Sequence, residues 1–261
     1  MCTMDISERV TLYENRIVCF IDILGFSGII KSTTSEDKYK AQKTITNICE
    51  ALFFLRECLN SISIHNITTT QFSDSIVISF PWNKDDWHML AVFKTIKHIQ
   101  ITLLYKYNLL LRGGIVIGDV IHTDKIVIGP AMINAYALES KCANSPRIVL
   151  DPKVVFRFKR LKNNAKKGKF IESDKIIHKD LDDTSYIDYF NLDEGEIFED
   201  EKEKERYFSK LCRLIADNVG SSDMSIRTKY LWMRNKVKHC EWYQQPKYAA
   251  IYKQIVTDKK K

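Results

Sequence analysis

The segment RIVCFIDIL, residues 16–24, constrains this chain more than any other stretch. Ile17, Val18, Phe20, Ile21, Ile23 and Leu24 follow one another without the apolar-polar alternation of a half-exposed strand. Such a run reads as a strand covered on both faces, so the chain must build layers on either side of a sheet. With 261 residues, 45% of them hydrophobic, it has the material for one large domain or one domain with an appendage.

An acid, Asp22, sits near the end of this run, and Gly25-Phe26-Ser27 follow it. A carboxylate at the end of a buried strand beside a glycine turn can hold a metal ion over a phosphate. A second acid, Asp74, lies in NITTTQFSDSIVISF, residues 66–80, between two β-rich arms. This predicts a hairpin with Asp74 at its tip, ended by Pro81.

The other elements follow from periodicity. Ile45, Ile48, Leu52, Leu55 and Leu59 predict a helix over 36–60 with Ser35 as N-cap. Met89, Phe93, Ile96, Ile99 and Leu103 predict another over 85–106. Residues 109–128 read as a long hairpin containing Arg112-Gly113-Gly114 and turning near His122 to Lys125. Gly129-Pro130 opens a helix to about Lys141, since proline suits a first turn. Strands are expected at 147–151 and 185–191, with a basic linker at 157–170 between them. After residue 192 the composition turns acidic and then mixed, and helices are expected near 200–218 and 222–239. The division is thus 1–192 as one domain and 193–261 as a helical extension, with Gly220 marking a break between helices.

Composition excludes several classes. The net charge of +7 suits an anionic ligand such as a nucleotide and does not by itself indicate nucleic-acid binding. The seven cysteines are odd in number and lack a CxxC pair, which points to neither a disulfide framework nor a zinc site. A reducing, cytoplasmic setting is expected. No run reaches the length of a membrane span and the N-terminus has no apolar core of a signal peptide. The expected partners therefore include no nucleic acid and no membrane.

Three pieces together, FIDILGFS at 20–27, FSDSIVISF at 72–80, and LRGGIVIGD at 111–119 with IGPAMINAYALES at 128–140, resemble the class III nucleotidyl cyclase catalytic domain. The resemblance covers roughly residues 16–192 and implies an α+β fold, the ferredoxin-like palm of that family, followed by the helical extension. It also implies a homodimer with sites at the interface, and conversion of a nucleoside triphosphate to its 3′,5′-cyclic monophosphate and pyrophosphate. Two Mg²⁺ or Mn²⁺ per site would be held by Asp22 and Asp74 and by the backbone carbonyl of Ile23. Oxygen donors of this kind suit such hard ions. The turn at Gly25, Phe26 and Ser27 would face the phosphates, joined by Arg112, whose guanidinium suits bidentate phosphate contacts. Lys179 matches the family's phosphate lysine poorly.

The departures bear on the base. Where purine cyclases carry a base-reading Lys or Glu, this chain has Thr70, and its partner position is Ile126. Where the family has a transition-state Asn and Arg, counting from Gly129 gives Ile133 and Ala137, with Asn134 one place late. In this the chain looks similar to the Pycsar-type pyrimidine cyclases of antiphage defence, which make cyclic UMP or cyclic CMP for an effector protein that reads them. A purine cyclase, a catalytically silent nucleotide sensor and a basic nucleic-acid-binding protein remain the alternatives. A GGDEF-type signature is absent. Singly, Asp22 and Asp119 could be turn acids, Gly113-Gly114 a close-packed strand, and Arg112 the partner of an acid on the sheet. Tyr230, Trp232, Trp242 and Tyr243 read as core of the extension or a dimer contact.

Overall fold

The computed structural model describes residues 12–34, 36–82, 87–164, 175–191 and 197–257. All but the last residue of the apolar run 16–24 lie in β1, Glu14–Ile23, an inner strand of a sheet. Two helices follow it, α1 (Phe26–Ser32) and α2 (Lys38–Asn60), then the hairpin β2 (Thr68–Phe72) and β3 (Ser75–Pro81), helix α3 (Trp87–Thr102) and β4 (Leu111–His122). These strands lie in the order β2-β3-β1-β4, and each neighbouring pair is antiparallel. That order and sense are those of a ferredoxin-like βαββαβ palm, as expected.

β1 is apolar throughout because both of its faces are covered. Ile17, Cys19, Ile21 and Ile23 face a core with Ala51, Leu55 and Leu59 of α2 and with Val92, Phe93 and Ile96 of α3. Val18 and Phe20 face the opposite way, onto Ala131 and Ala135 of α4 (Pro130–Cys142), which follows the short β5 (Val127–Ile128). α4 lies close against β4 because β4 is glycine-rich there. A Cβ on Gly114 would stand 2.5 Å from the Ala135 carbonyl oxygen and 2.9 Å from Leu138 Cβ. Gly113-Gly114 is therefore a packing device rather than a phosphate cradle. Gly114→Ala is expected to cost about 1–3 kcal/mol, read as a lowered denaturant midpoint. An unchanged midpoint would mean that α4 slides freely on the sheet.

The sheet continues through β6 (Ile148–Leu150), parallel to β4, to β8 (Ser185–Ile187) and the edge strand β7 (Ile177–Lys179). Several boundaries differ from expectation. Ser35 lies outside the described residues, and the N-cap of α2 is Asp37, whose carboxylate accepts from the Lys40 amide at 3.0 Å. The basic linker is a helix as far as it is described. α5 (Pro152–Asn164) buries Val154 and Phe158, and Phe158 stacks on Phe93 with ring centroids 5.3 Å apart. Its many Lys and Arg residues hid that stripe, and Phe158 lies in the core, where no base could stack on it. Residues 165–170 of that stretch lie outside the described residues. The strand expected at 185–191 ends at Ile187, and its partner β7 had no sequence signal beyond three residues.

Helices α6 (Glu201–Asn218), α7 (Met224–His239) and α8 (Pro246–Tyr252) form the C-terminal part. Tyr207, Phe208, Leu211, Met233, Val237, Trp242 and Tyr248 share a core with Ile101, Leu104, Leu110, Tyr189 and Phe190 of the preceding region. Trp242 is buried, and Tyr230, Trp232 and Tyr243 pack against that core. No helix among the described residues is long and apolar enough to cross a membrane.

Candidate active site

Strand register fixes what meets at the end of β1. Asp22 pairs with Ser75 on one side and with Arg112 on the other. Side chains alternate along a strand, so Asp22, Arg112 and Ser75 all face the α4 side of the sheet. Phe72 pairs with Ser75, which leaves Ser73 and Asp74 as the two-residue hairpin loop, with Ser73 at φ 54°. Asp74 thus stands at the tip, beside Asp22, as its sequence context predicts. Ile23 ends the strand, buried and paired with Leu111. Gly25, at φ 77°, then turns the chain into α1, so Phe26 and Ser27 supply that helix's first amides, which have no carbonyl a turn earlier to bond.

The two carboxylates are not alike in their partners. Ser75 Oγ donates to Asp22 Oδ1 at 2.9 Å, and Arg112 Nε and Nη2 both donate to Asp22 Oδ2 at 3.2 Å. Burial raises the Asp22 pKa above the usual carboxylate range. The Ser75 hydrogen bond opposes that rise, the Asp74 charge adds to it, and Arg112 opposes it.

A third carboxylate joins the site. Glu139 of α4 is buried, and its Oε1 lies 2.7 Å from Arg112 Nε. The Arg112 Nε–H points instead toward Asp22, so that Glu139 oxygen is in ion-pair contact yet has no hydrogen bond. Burial raises the Glu139 pKa as well; Arg112 opposes this and Asp22 adds to it. The sequence signal was present: Ala131, Ala135 and Glu139 recur every four residues on the buried stripe of α4, and an acid on such a stripe needs a partner. Arg112 therefore does pair with an acid on the sheet, and with a second one on the helix above it.

The remaining predicted positions are spread out. Thr70 lies on β2, two residues before Phe72, on the same face as Asp22, and its Oγ1 is 2.9 Å from His122 Nε2. Ile126 is in the β4–β5 turn, where its amide donates to Thr123 Oγ1 at 3.1 Å. Asn134 is exposed on α4, and Ile133 beside it is 68% exposed. Asp119 accepts from Asn15 Nδ2 at 3.0 Å, the pairing of a strand acid rather than a ligand. Lys179 is on edge strand β7, ion-paired with Asp183 at 2.6 Å and three strands from β4.

The donor set suits a hard divalent cation. Asp22 and Asp74 offer only oxygens, and a cation would relieve their mutual repulsion, which adds to the rise that burial gives the Asp22 pKa. Mn²⁺ binding to the nucleotide-free protein should therefore weaken as the pH falls, beginning above the ordinary carboxylate range, because protonation of Asp22 removes a ligand. The measurement is the Mn²⁺-induced rise in melting temperature across that range. A rise that holds constant as the solution is acidified would exclude Asp22 as a ligand.

No protein-family model matches the sequence, and no curated protein matches it. Among solved structures, the chain is similar to the guanylyl cyclase Cya2, at 17% identity over 56% of this chain and 78% of that one, with a TM-score of 0.41. It is similar to the monomeric guanylyl cyclase domain of the RhoGC fusion protein from the aquatic fungus Blastocladiella emersonii, at 14% identity over 67% and 95%, with a TM-score of 0.45. A class III adenylyl cyclase-like ATP-binding protein from Pseudomonas aeruginosa matches at 10% identity over 87% of this chain and 45% of that one, with a TM-score of 0.43. At this level of identity and superposition the likeness says nothing of activity, and the palm rests on its own strand order and register.

Proposed function

We propose that this chain is a nucleotidyl cyclase that converts a nucleoside triphosphate to its 3′,5′-cyclic monophosphate and pyrophosphate. One observation carries the reading: Asp22 at the end of β1 and Asp74 on the adjoining hairpin tip come together at one end of the palm's sheet, with Arg112 alongside Asp22. Bound Mg²⁺ or Mn²⁺, two per site, would acidify the ribose 3′-hydroxyl and neutralise the triphosphate. Asp22, Asp74 and the Ile23 carbonyl would hold those ions. Arg112 would take the phosphates, and the amides at Gly25, Phe26 and Ser27 would face them. Glu139 would keep Arg112 beside the site once its contact with Asp22 is given up.

The finer reading is a pyrimidine cyclase acting on UTP or CTP in the cytoplasm, of the Pycsar kind. It would work as a homodimer in which Thr70 and the segment from Ile126 to Asn134 complete the site of the other subunit. Its product would be an antiphage signal read by an effector protein. Thr70 and Ile126 support this, because together they offer less polar reach than a purine-reading pair. A second reading, a silent nucleotide sensor, is favoured by Ile133 and Ala137, where α4 offers no amide or guanidinium to a transition state.

The test is a product assay. Purified protein is incubated separately with ATP, GTP, CTP and UTP plus Mn²⁺, and products are resolved by mass beside an Asp74→Ala control. Cyclic UMP or cyclic CMP, lost in the control, is the expected result. A purine product would keep the reaction and overturn the base, and nucleotide binding with no cyclic product would favour the sensor.

A further inference from the structure

A buried relay of hydrogen bonds ends at Thr70. Arg16, 4% exposed, donates from Nε to Ser79 Oγ at 2.9 Å. Ser79 Oγ lies 2.8 Å from His122 Nδ1, and His122 Nε2 lies 2.9 Å from Thr70 Oγ1. Arg16, Ser79 and Thr70 are on the same sheet face as Asp22, by strand register. His122, the last residue of β4, reaches that face from the end of its strand.

The direction of this relay follows from its chemistry. A guanidinium has donors only, so Ser79 Oγ must accept from Arg16. The Ser79 hydroxyl is fully buried and must place its own proton. Among the described residues, its one partner able to accept is His122 Nδ1. Nδ1 is then unprotonated, and a neutral imidazole carries its proton on Nε2, which donates to Thr70 Oγ1. Burial, with Arg16 nearby, lowers the His122 pKa to about 4, so the ring is neutral at physiological pH. Thr70 Oγ1 has accepted one hydrogen bond, and among the described residues no acceptor takes its own proton, which is left for a ligand.

We propose that His122 is a specificity-determining residue: Arg16, acting through Ser79 and His122, makes the Thr70 hydroxyl an outward donor, selecting a base that presents a carbonyl oxygen there rather than an amino group. This rests on Thr70 being a base contact, as in the function proposed above. It names the keto base, uracil, over the amino base, cytosine: a carbonyl takes up the Thr70 proton, whereas an amino group can use only the remaining lone pair of Oγ1 and leaves that proton without an acceptor. A mismatch of this kind is worth about tenfold to a hundredfold in affinity.

Two measurements test the proposal, and neither needs turnover. The first is ¹⁵N NMR of the histidine side chains of the free protein, with a His122→Gln variant for assignment. A neutral His122 protonated on Nε2 is expected; protonation on Nδ1, or an imidazolium near neutral pH, overturns the relay. The second is calorimetry of UTP and CTP with the Mn²⁺-loaded protein and with Ser79→Ala, which frees His122 to take either tautomer. UTP should bind about tenfold to a hundredfold more tightly than CTP, and the ratio should fall toward one in Ser79→Ala with the melting transition retained. Equal affinities in the unsubstituted protein, a preference for CTP, a preference that survives Ser79→Ala, or no binding of either nucleotide overturns the proposal. A UTP preference without any cyclic product would support this inference while counting against the cyclase reaction, so the two readings fail separately.

Discussion

Asp22→Asn is expected to abolish formation of any cyclic nucleotide, by about 10³-fold or more, without weakening the fold at neutral pH. Asparagine keeps the size of the side chain and an oxygen for the Ser75 hydroxyl, and it removes the charge that a divalent cation needs. The stability side follows from the sign of the pKa shift. Burial, with Asp74 adjacent, raises the Asp22 pKa in the folded chain, so this group's favourable contribution is present at low pH and is lost as pH rises through the folded value. At neutral pH the ionised carboxylate is thus a cost that the amide lacks. Arg112, which now donates twice to Asp22, remains held by Glu139 in the variant. Asp74→Ala should lose activity to the same extent. Turnover of Asp22→Asn within tenfold of the original protein would remove Asp22 from the metal site, and a lower melting temperature would show that the carboxylate is structural.

Asp180→Ala is expected to cost about 3–5 kcal/mol, the largest loss of stability expected of a single substitution here. Asp180 is buried between the palm and α7. Its Oδ2 takes Arg147 Nη1 at 2.5 Å and Trp232 Nε1 at 2.7 Å, and its Oδ1 takes Lys236 Nζ at 2.5 Å. Arg147 is 5% exposed and Lys236 8%, so the alanine variant leaves two cations in the interior with one carboxylate fewer between them. Asp182, half exposed, still holds Arg147 Nη2, but among the described residues no second carboxylate pairs with Lys236, which keeps only the Tyr186 and Trp232 rings. Burial alone would raise the Asp180 pKa, and the hydrogen bonds from Lys236 and Trp232 outweigh it, so the net shift is downward. A lowered acid pKa contributes stability above the unfolded value that is lost as pH falls through the folded one. Acid should therefore weaken the junction of α7 with the palm once Asp180 is protonated, which happens below the ordinary carboxylate range. Denaturant unfolding followed by tryptophan fluorescence measures this, since Trp232 and Trp242 lie in or beside the shared core. A loss under about 1 kcal/mol would show that Arg147 and Lys236 find water once the carboxylate is gone.

Much of this was legible in the residues. The continuity of β1, the 3.6-residue spacing in α2 and α3, the loop residues at Ser73-Asp74 and the Gly129-Pro130 helix start are local signals, readable without neighbours. α6 and α7 were placed to within two residues for the same reason. α5 was missed because its apolar stripe is narrow and lies among charges, and β7 because three residues carry no usable period.

The sequence by itself determined the elements and put Asp22 and Asp74 on a strand end and a hairpin tip, because period and turn chemistry act over a few residues. Only the tertiary structure decided the partners. Thr70 meets His122 across 52 positions, Arg147 meets Asp180 across 33, and Lys236 meets Asp180 across 56. Strand order and register make those meetings, and no local pattern encodes them. Burial is likewise a property of the assembled layers. It turns Glu139 from a helix acid into the anchor of Arg112, and it raises the Asp22 pKa.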